Sequence, residues 1–198
     1  MSERGNDRRT FLSGTLLGVG ALSGSALAGA ARSAEAAIAA VTGGSNAEQR
    51  LRELGIRLPE VDMQQSAIVP AVEVGNLLFV SGHGPRGEDG NYIIGKVGAE
   101  LTAEQGTAAA RACAMTMMAA LRMQLGSLDR ITRVVKALGM VNSAPTFTGQ
   151  PAVVNGFSNA WIELLGDRGR GARSAVGVAS LPQNWAVEVE AIFEITSL

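Results

Sequence analysis

Beyond residue 45 the apolar positions switch repeatedly between helical spacing and strand-like alternation. Asn46–Leu54 has the spacing and charge of a short helix, stopped by Gly55 and followed by Pro59. Two short strand-like runs come next, Ser66–Val69 and Asn76–Ser81, the second entered through Gly75. Gly82–Gly90 is dense in turn formers and reads as a loop, after which Asn91–Val97 resumes as a strand or an extended arm. The longest pattern predicts a helix over Thr102–Leu125, with Thr102 and Gln105 at capping-box spacing and Gly126 as the stop. Its stripe of Ala109, Ala112, Cys113, Met117, Ala120, Leu121 and Leu125 is small-sided, which permits close packing on a sheet. Arg130–Val141 reads as a strand. Pro151–Leu165 reads as a second helix, with Val154, Phe157, Trp161 and Leu165 on one side. After the Gly/Arg-rich loop Asp167–Gly171, strands Ala172–Ala179 and Trp185–Ile195 are joined by a tight connection, Ser180–Asn184.

The order β-β-(β)-α-β-α-β-β gives more strands than helices, and two helices cover only one sheet face. The expected fold is an α+β sandwich whose other sheet face is bare. A bare apolar face finds a partner subunit, so oligomerisation is expected.

The chain opens with Asp7-Arg8-Arg9-Thr10-Phe11-Leu12, then an apolar run diluted by Gly14, Gly18, Gly20 and Gly24. This resembles a twin-arginine export signal, with small-x-small cleavage sites between Ala26 and Ala36. The run is too short and Gly-rich for a good spanning helix, so no stable membrane insertion is expected after cleavage. The domain reading is an export segment over 1–36, a lead-in with a short helix over 37–65, and a single domain over 66–198; the mature protein is expected to be periplasmic. The export segment carries four Arg and three acids, so its removal takes the formal net charge from −1 to near −2. That balance gives no reason to expect nucleic acid or an anionic membrane as a partner. The lone cysteine, Cys113, sits in an apolar helical stretch and reads as buried and inert.

One histidine and one cysteine in the whole chain leave no metal-ligand cluster, and the Gly-rich segment lacks phosphate-loop spacing. What stands out is Arg173-Ser174-Ala175-Val176-Gly177-Val178-Ala179-Ser180-Leu181-Pro182, followed by Val187-Glu188-Val189-Glu190-Ala191. An arginine inside an alternating strand sets a planar cationic fork at a sheet surface, matched to a carboxylate. Glu188 and Glu190 share one face of the next strand. Two readings of Arg173 stand open: a ligand clamp, or a structural ion pair with Glu188 or Glu190 across a hairpin.

These segments, with Gly75–His83, Leu125–Ile131 and Val154–Phe157, resemble the RidA (YjgF) family of reactive-intermediate deaminases over roughly Ser66–Ile195. The resemblance implies a chorismate-mutase-like α+β fold, a mixed sheet covered on one face by two helices, assembled as a homotrimer with clefts between subunits. It implies that Arg173 grips the carboxylate of a 2-imino or 2-enamino acid. Water then attacks the C=N carbon, helped by Glu188, giving a 2-keto acid and ammonia. Ser81, Asn155 and His83 are implied in or near the cleft as substrate-binding residues, and no cofactor is required. The alternative is a non-catalytic exported trimer that binds a small carboxylate or a protein partner. The chain departs from the family pattern in four places. Ala175 replaces the usual cysteine, no tyrosine lies near Pro70-Ala71-Val72, His83 replaces a glutamine, and Trp185 adds bulk before the last strand.

Overall fold

A computed structural model describes residues 46–61 and 67–196. The expected export segment over 1–36, the lead-in at 37–45 and 62–65, and Ser66 lie outside the described residues. Helix α1 is Ala47–Glu53, α2 is Ala103–Leu125 and α3 is Gln150–Leu165. The strands are β1 Ala71–Val74, β2 Leu77–His83, β3 Ile131–Asn142, β4 Ala172–Val178 and β5 Val187–Ile195. They form one mixed sheet in the order β1-β2-β5-β3-β4, antiparallel throughout except for the parallel β3–β4 pair.

Local chemistry sets the boundaries. Thr102 caps α2 reciprocally with Gln105, and Gly126 ends it in the left-handed region at φ 79°. Helices α2 and α3 approach so closely that a Cβ on Gly156 would overlap the Thr107 carbonyl oxygen. Arg111 and Glu163 join the two helices at their exposed edge through a bidentate pair at 3.0 and 2.7 Å. Val187, Val189, Ala191, Phe193 and Ile195 are all buried beneath the helices, with Trp161 ring-to-ring against Phe193 at 4.6 Å. The short helix α1 also enters this core through Ala47 and Leu51.

The first strand differs from the sequence expectation. Residues 67–70 form no strand and β1 begins at Ala71, after Pro70, which has no N–H to donate to a ladder. Ile68 and Val69 are exposed. The segment Asn91–Val97 is an extended arm with isolated bridges, Ile94 to Trp185 and Val97 to Ser143 among them. The last two strands are not a hairpin either. β3 lies between β4 and β5, because the parallel β3–β4 pairing carries the chain over an intervening strand.

The opposite sheet face has no cover within the described residues. Val72, Val74, Phe79 and Val176 are exposed there.

Candidate functional site

Arg173 pairs in register with Ala137 of β3, which pairs in turn with Ala191 of β5. Residues paired across a sheet share a face, so Arg173 points toward the helix layer with buried Ala137 and Ala191. Pro151, Asn155 and Ser158 meet it there, spaced i, i+4 and i+7 along one stripe of α3. Arg173 Nη1 donates to Asn155 Oδ1 at 2.9 Å and to Ser158 Oγ at 3.0 Å, while Nη2 donates to the Pro151 carbonyl at 3.1 Å. Every acceptor is neutral. Among the described residues Arg173 makes no ion pair, and Nε–H and one Nη2 proton have no acceptor. This overturns the structural ion pair of Arg173 with Glu188 or Glu190, since β3 separates the strands that carry them.

Glu188 stands on the uncovered face, between buried Val187 and Val189 in sequence and opposite Met140 in register. Strand β2 bulges beside it. Val80 pairs with Ala191 and His83 with Val189, so Ser81 and Gly82 together oppose Glu190 alone. The Glu188 carboxylate fills the space a side chain on residue 82 would need. Burial, and secondarily the Glu190 charge, raise the Glu188 carboxyl above the ordinary glutamate value. It makes no hydrogen bond or ion pair among the described residues, which leaves it a carboxylate with free acceptor capacity.

Ser81 Oγ donates to the Val69 carbonyl at 2.8 Å, and the Ser81 N–H donates to Pro70 O at 2.8 Å. His83 Nδ1 lies 2.7 Å from the Ser81 carbonyl, a contact that requires the proton on Nδ1 and leaves the Nε2 lone pair free. Burial lowers the His83 pKa, and the Ser81 bond opposes that shift. In register His83 faces Val189, on the row that looks toward the helices. Trp185 stacks on Tyr92 at 4.8 Å and lies against Gly84, holding the loop that follows His83. Cys113 is buried, with its thiol pKa raised well above 9.0 by burial and then by the Glu188 charge.

Four of the five predicted residues therefore fall into two groups, and His83 stands apart on the helix-facing row of β2. Arg173 and Asn155 meet directly on the helix side at β4, the edge strand. Glu188 lies against the Ser81–Gly82 bulge on the other side. The strands carrying the two charges stand two strand spacings apart, about 10 Å. Within one chain the fork and the carboxylate stand on opposite faces of the sheet. Sequence reasoning missed Ser158, Pro151 and Gly82. The i, i+3 spacing of Asn155 and Ser158 on a predicted helix was the available signal for the first. No group of three or more metal-ligating side chains occurs among the described residues, and none of their helices is long and apolar enough to cross a membrane.

Residues 48–194 match the sequence pattern of the family described as "YjgF/chorismate_mutase-like, putative endoribonuclease". Protein TCP17 of Trypanosoma cruzi is 45% identical over 148 residues, covering 74% of this chain and 92% of that protein. The crystal structure of Atu1372 from Agrobacterium tumefaciens, a protein of unknown function, is 43% identical with a TM-score of 0.68, covering 76% of this chain and 94% of that one. A Shewanella oneidensis structure carrying the same endoribonuclease designation is 29% identical with a TM-score of 0.71, covering 76% of this chain and all of that one. The family pattern and the likeness to these relatives both span nearly all of the described domain, and the chain belongs to the YjgF/RidA-like family.

Proposed function

We propose that the protein is a deaminase of 2-imino or 2-enamino acids, working in a cleft shared between subunits of a homotrimer. The observation that carries this reading is the Arg173 fork, fixed by three neutral acceptors, with unmatched donors and no carboxylate partner among the described residues. A ligand carboxylate supplies the missing anion. Glu188 supplies the second function. Its raised pKa brings its basicity closer to that needed for accepting a proton near neutral pH.

The chemistry needs little else. The C=N carbon is already electrophilic, and orientation by Arg173 sets it in reach of a water. Water adds its oxygen to that carbon while Glu188 takes one proton. That proton passes to nitrogen to give a carbinolamine. Glu188 then carries the carbinolamine hydroxyl proton to nitrogen as the C=O bond forms and the C–N bond breaks, and ammonia leaves a 2-keto acid. Because the two groups occupy opposite faces of one sheet, each site draws Arg173 from one subunit and Glu188 from its neighbour. The exposed apolar residues Val72, Phe79 and Val176 on the Glu188 side favour such packing. A formal charge of −1, near −2 without residues 1–36, offers no net electrostatic attraction to RNA, which favours a small-molecule substrate over a nucleic acid.

Ammonia release from imines generated in situ by an amino-acid oxidase tests the reading, with wild type compared to Arg173→Ala and Glu188→Gln. Activity surviving in full in either well-folded variant would exclude it. On the same reading residues 1–36 export the folded chain, so its imines arise by amino-acid oxidation outside the cytoplasm. Arg8→Lys with Arg9→Lys, followed by cell fractionation, tests that export.

A further inference from the structure

We propose that Ser158 is a positioning residue that decides which edge of the Arg173 guanidinium is offered to a carboxylate. The inference rests on the clamp reading above and goes beyond it to the geometry of recognition.

Arg173 Nη1 carries two N–H donors, and Asn155 Oδ1 and Ser158 Oγ occupy both, at 2.9 and 3.0 Å. End-on pairing through the two terminal nitrogens is thereby closed, because Nη1 has nothing left to give. Nη2 spends one proton on Pro151 O at 3.1 Å. The donors left over are Nε–H and one on Nη2, the two nitrogens of the fork's side edge. A carboxylate must therefore approach side-on.

Asn155 alone does not enforce this, since it fills one Nη1 donor and leaves the other free. Ser158 closes the second. It also stands beside a small cavity, about 10 Å³, lined in part by Ala137, Phe157, Trp161 and Arg173. Loss of the Ser158 hydroxyl both frees an Nη1 proton and enlarges the space into which the guanidinium can swing. A clamp that samples two presentations binds a planar anion more weakly than one held in a single presentation. The hydroxyl therefore acts through Arg173 and need not touch ligand itself.

Pyruvate, the simplest 2-oxo acid, serves as the probe in calorimetric titrations of the full trimeric protein. Ser158→Ala should weaken pyruvate binding about tenfold through lost preorganisation. Its melting temperature should change little, because alanine's better helix propensity offsets the lost hydrogen bond. Ser158→Thr keeps the hydroxyl, can place its extra methyl toward the cavity, and should restore affinity to within about twofold of wild type. A fall in affinity that tracks a fall in melting temperature and is not rescued by threonine would assign Ser158 a purely structural role and overturn the inference. Unchanged affinity in Ser158→Ala, beside lost affinity in Arg173→Ala, overturns the positioning role alone. Wild type without affinity for pyruvate, or Arg173→Ala with undiminished affinity, overturns both the positioning role and the clamp beneath it.

Discussion

Gly82 lies so close to Glu188 that the carboxylate occupies the volume a Cβ at position 82 would require. Gly82 does not have a left-handed φ, so contact and not backbone freedom restricts this position. The obstructing atoms are the far end of a flexible side chain. Gly82→Ala should therefore displace the carboxylate while leaving the sheet intact. The expected outcome is a loss of kcat for the proposed deamination by a factor on the order of ten to a hundred, since small misplacements of reacting groups are costly. Pyruvate affinity at Arg173 should be little changed. Parallel kinetics and calorimetry on the variant check both halves of that statement.

The separation of Arg173 and Glu188 across the sheet predicts complementation. Arg173→Ala and Glu188→Gln proteins should each be inactive alone. Mixed in equal amounts and refolded together, they should regain about a quarter of the sites, because a heterologous ring interface needs one intact donor on each side. Light scattering should report a trimer for each variant. A stable monomer, or a mixture with no recovered activity, contradicts the shared cleft.

Glu188 gives the acid side a defined sign. Its native pKa is raised above 4.5 by burial and then by Glu190, so the folded protein holds this proton where the unfolded chain has already released it. Stability from this group therefore falls as pH rises from about 4.5 through the native pKa. Glu188→Gln removes the penalty, and its melting-temperature advantage over wild type should be larger at pH 7 than at pH 4. The same shift should place the acid limb of kcat/KM above the usual glutamate range. Thermal scans and a pH–rate profile measure the two effects.

His83 behaves oppositely. Burial lowers its native pKa below 6.5, so on acidification the unfolded chain takes up a proton first. Stability is lost as pH falls from about 6.5 toward the native pKa. His83→Gln keeps a side-chain donor for the Ser81 carbonyl and abolishes the titration. In thermal scans the difference in melting temperature between the two proteins should be constant above about pH 7.5, with wild type losing ground near pH 5.5.

Much of this molecule is legible along the chain because its elements announce themselves locally. Thr102, Gln105 and Gly126 bracket α2 with cap chemistry that acts within four residues. Strand partnership is not local. Arg173 and Glu188 sit on successive strands separated by a short connection, which suggests a hairpin. The parallel β3–β4 pairing depends instead on how α3 crosses the sheet. The bulge at Ser81–Gly82 was hidden for a related reason. Its signal is an unequal count of residues on two strands far apart in sequence, visible only once their register is known. Asn155 and Arg173 were found as residues, yet their hydrogen bond needed the packing of a helix on an edge strand. Ser158 stands one helical turn beyond Asn155 and was within reach of the same spacing argument.

The stripe that holds Arg173 begins in the first turn of α3, whose N-cap, Gly149, offers no side-chain hydrogen bond to the orphan amides there. Arg173 bonding to Pro151 O, Asn155 and Ser158 therefore acts as a tertiary clasp on a helix end with a weak cap of its own. Fraying of that end and release of the guanidinium become one event, with one opening equilibrium. An anion that binds only the clasped form must draw this equilibrium closed in proportion to its own saturation. Occupancy of the site is thereby recorded at a distance from the ligand, in how slowly the amides at the start of α3 exchange with solvent.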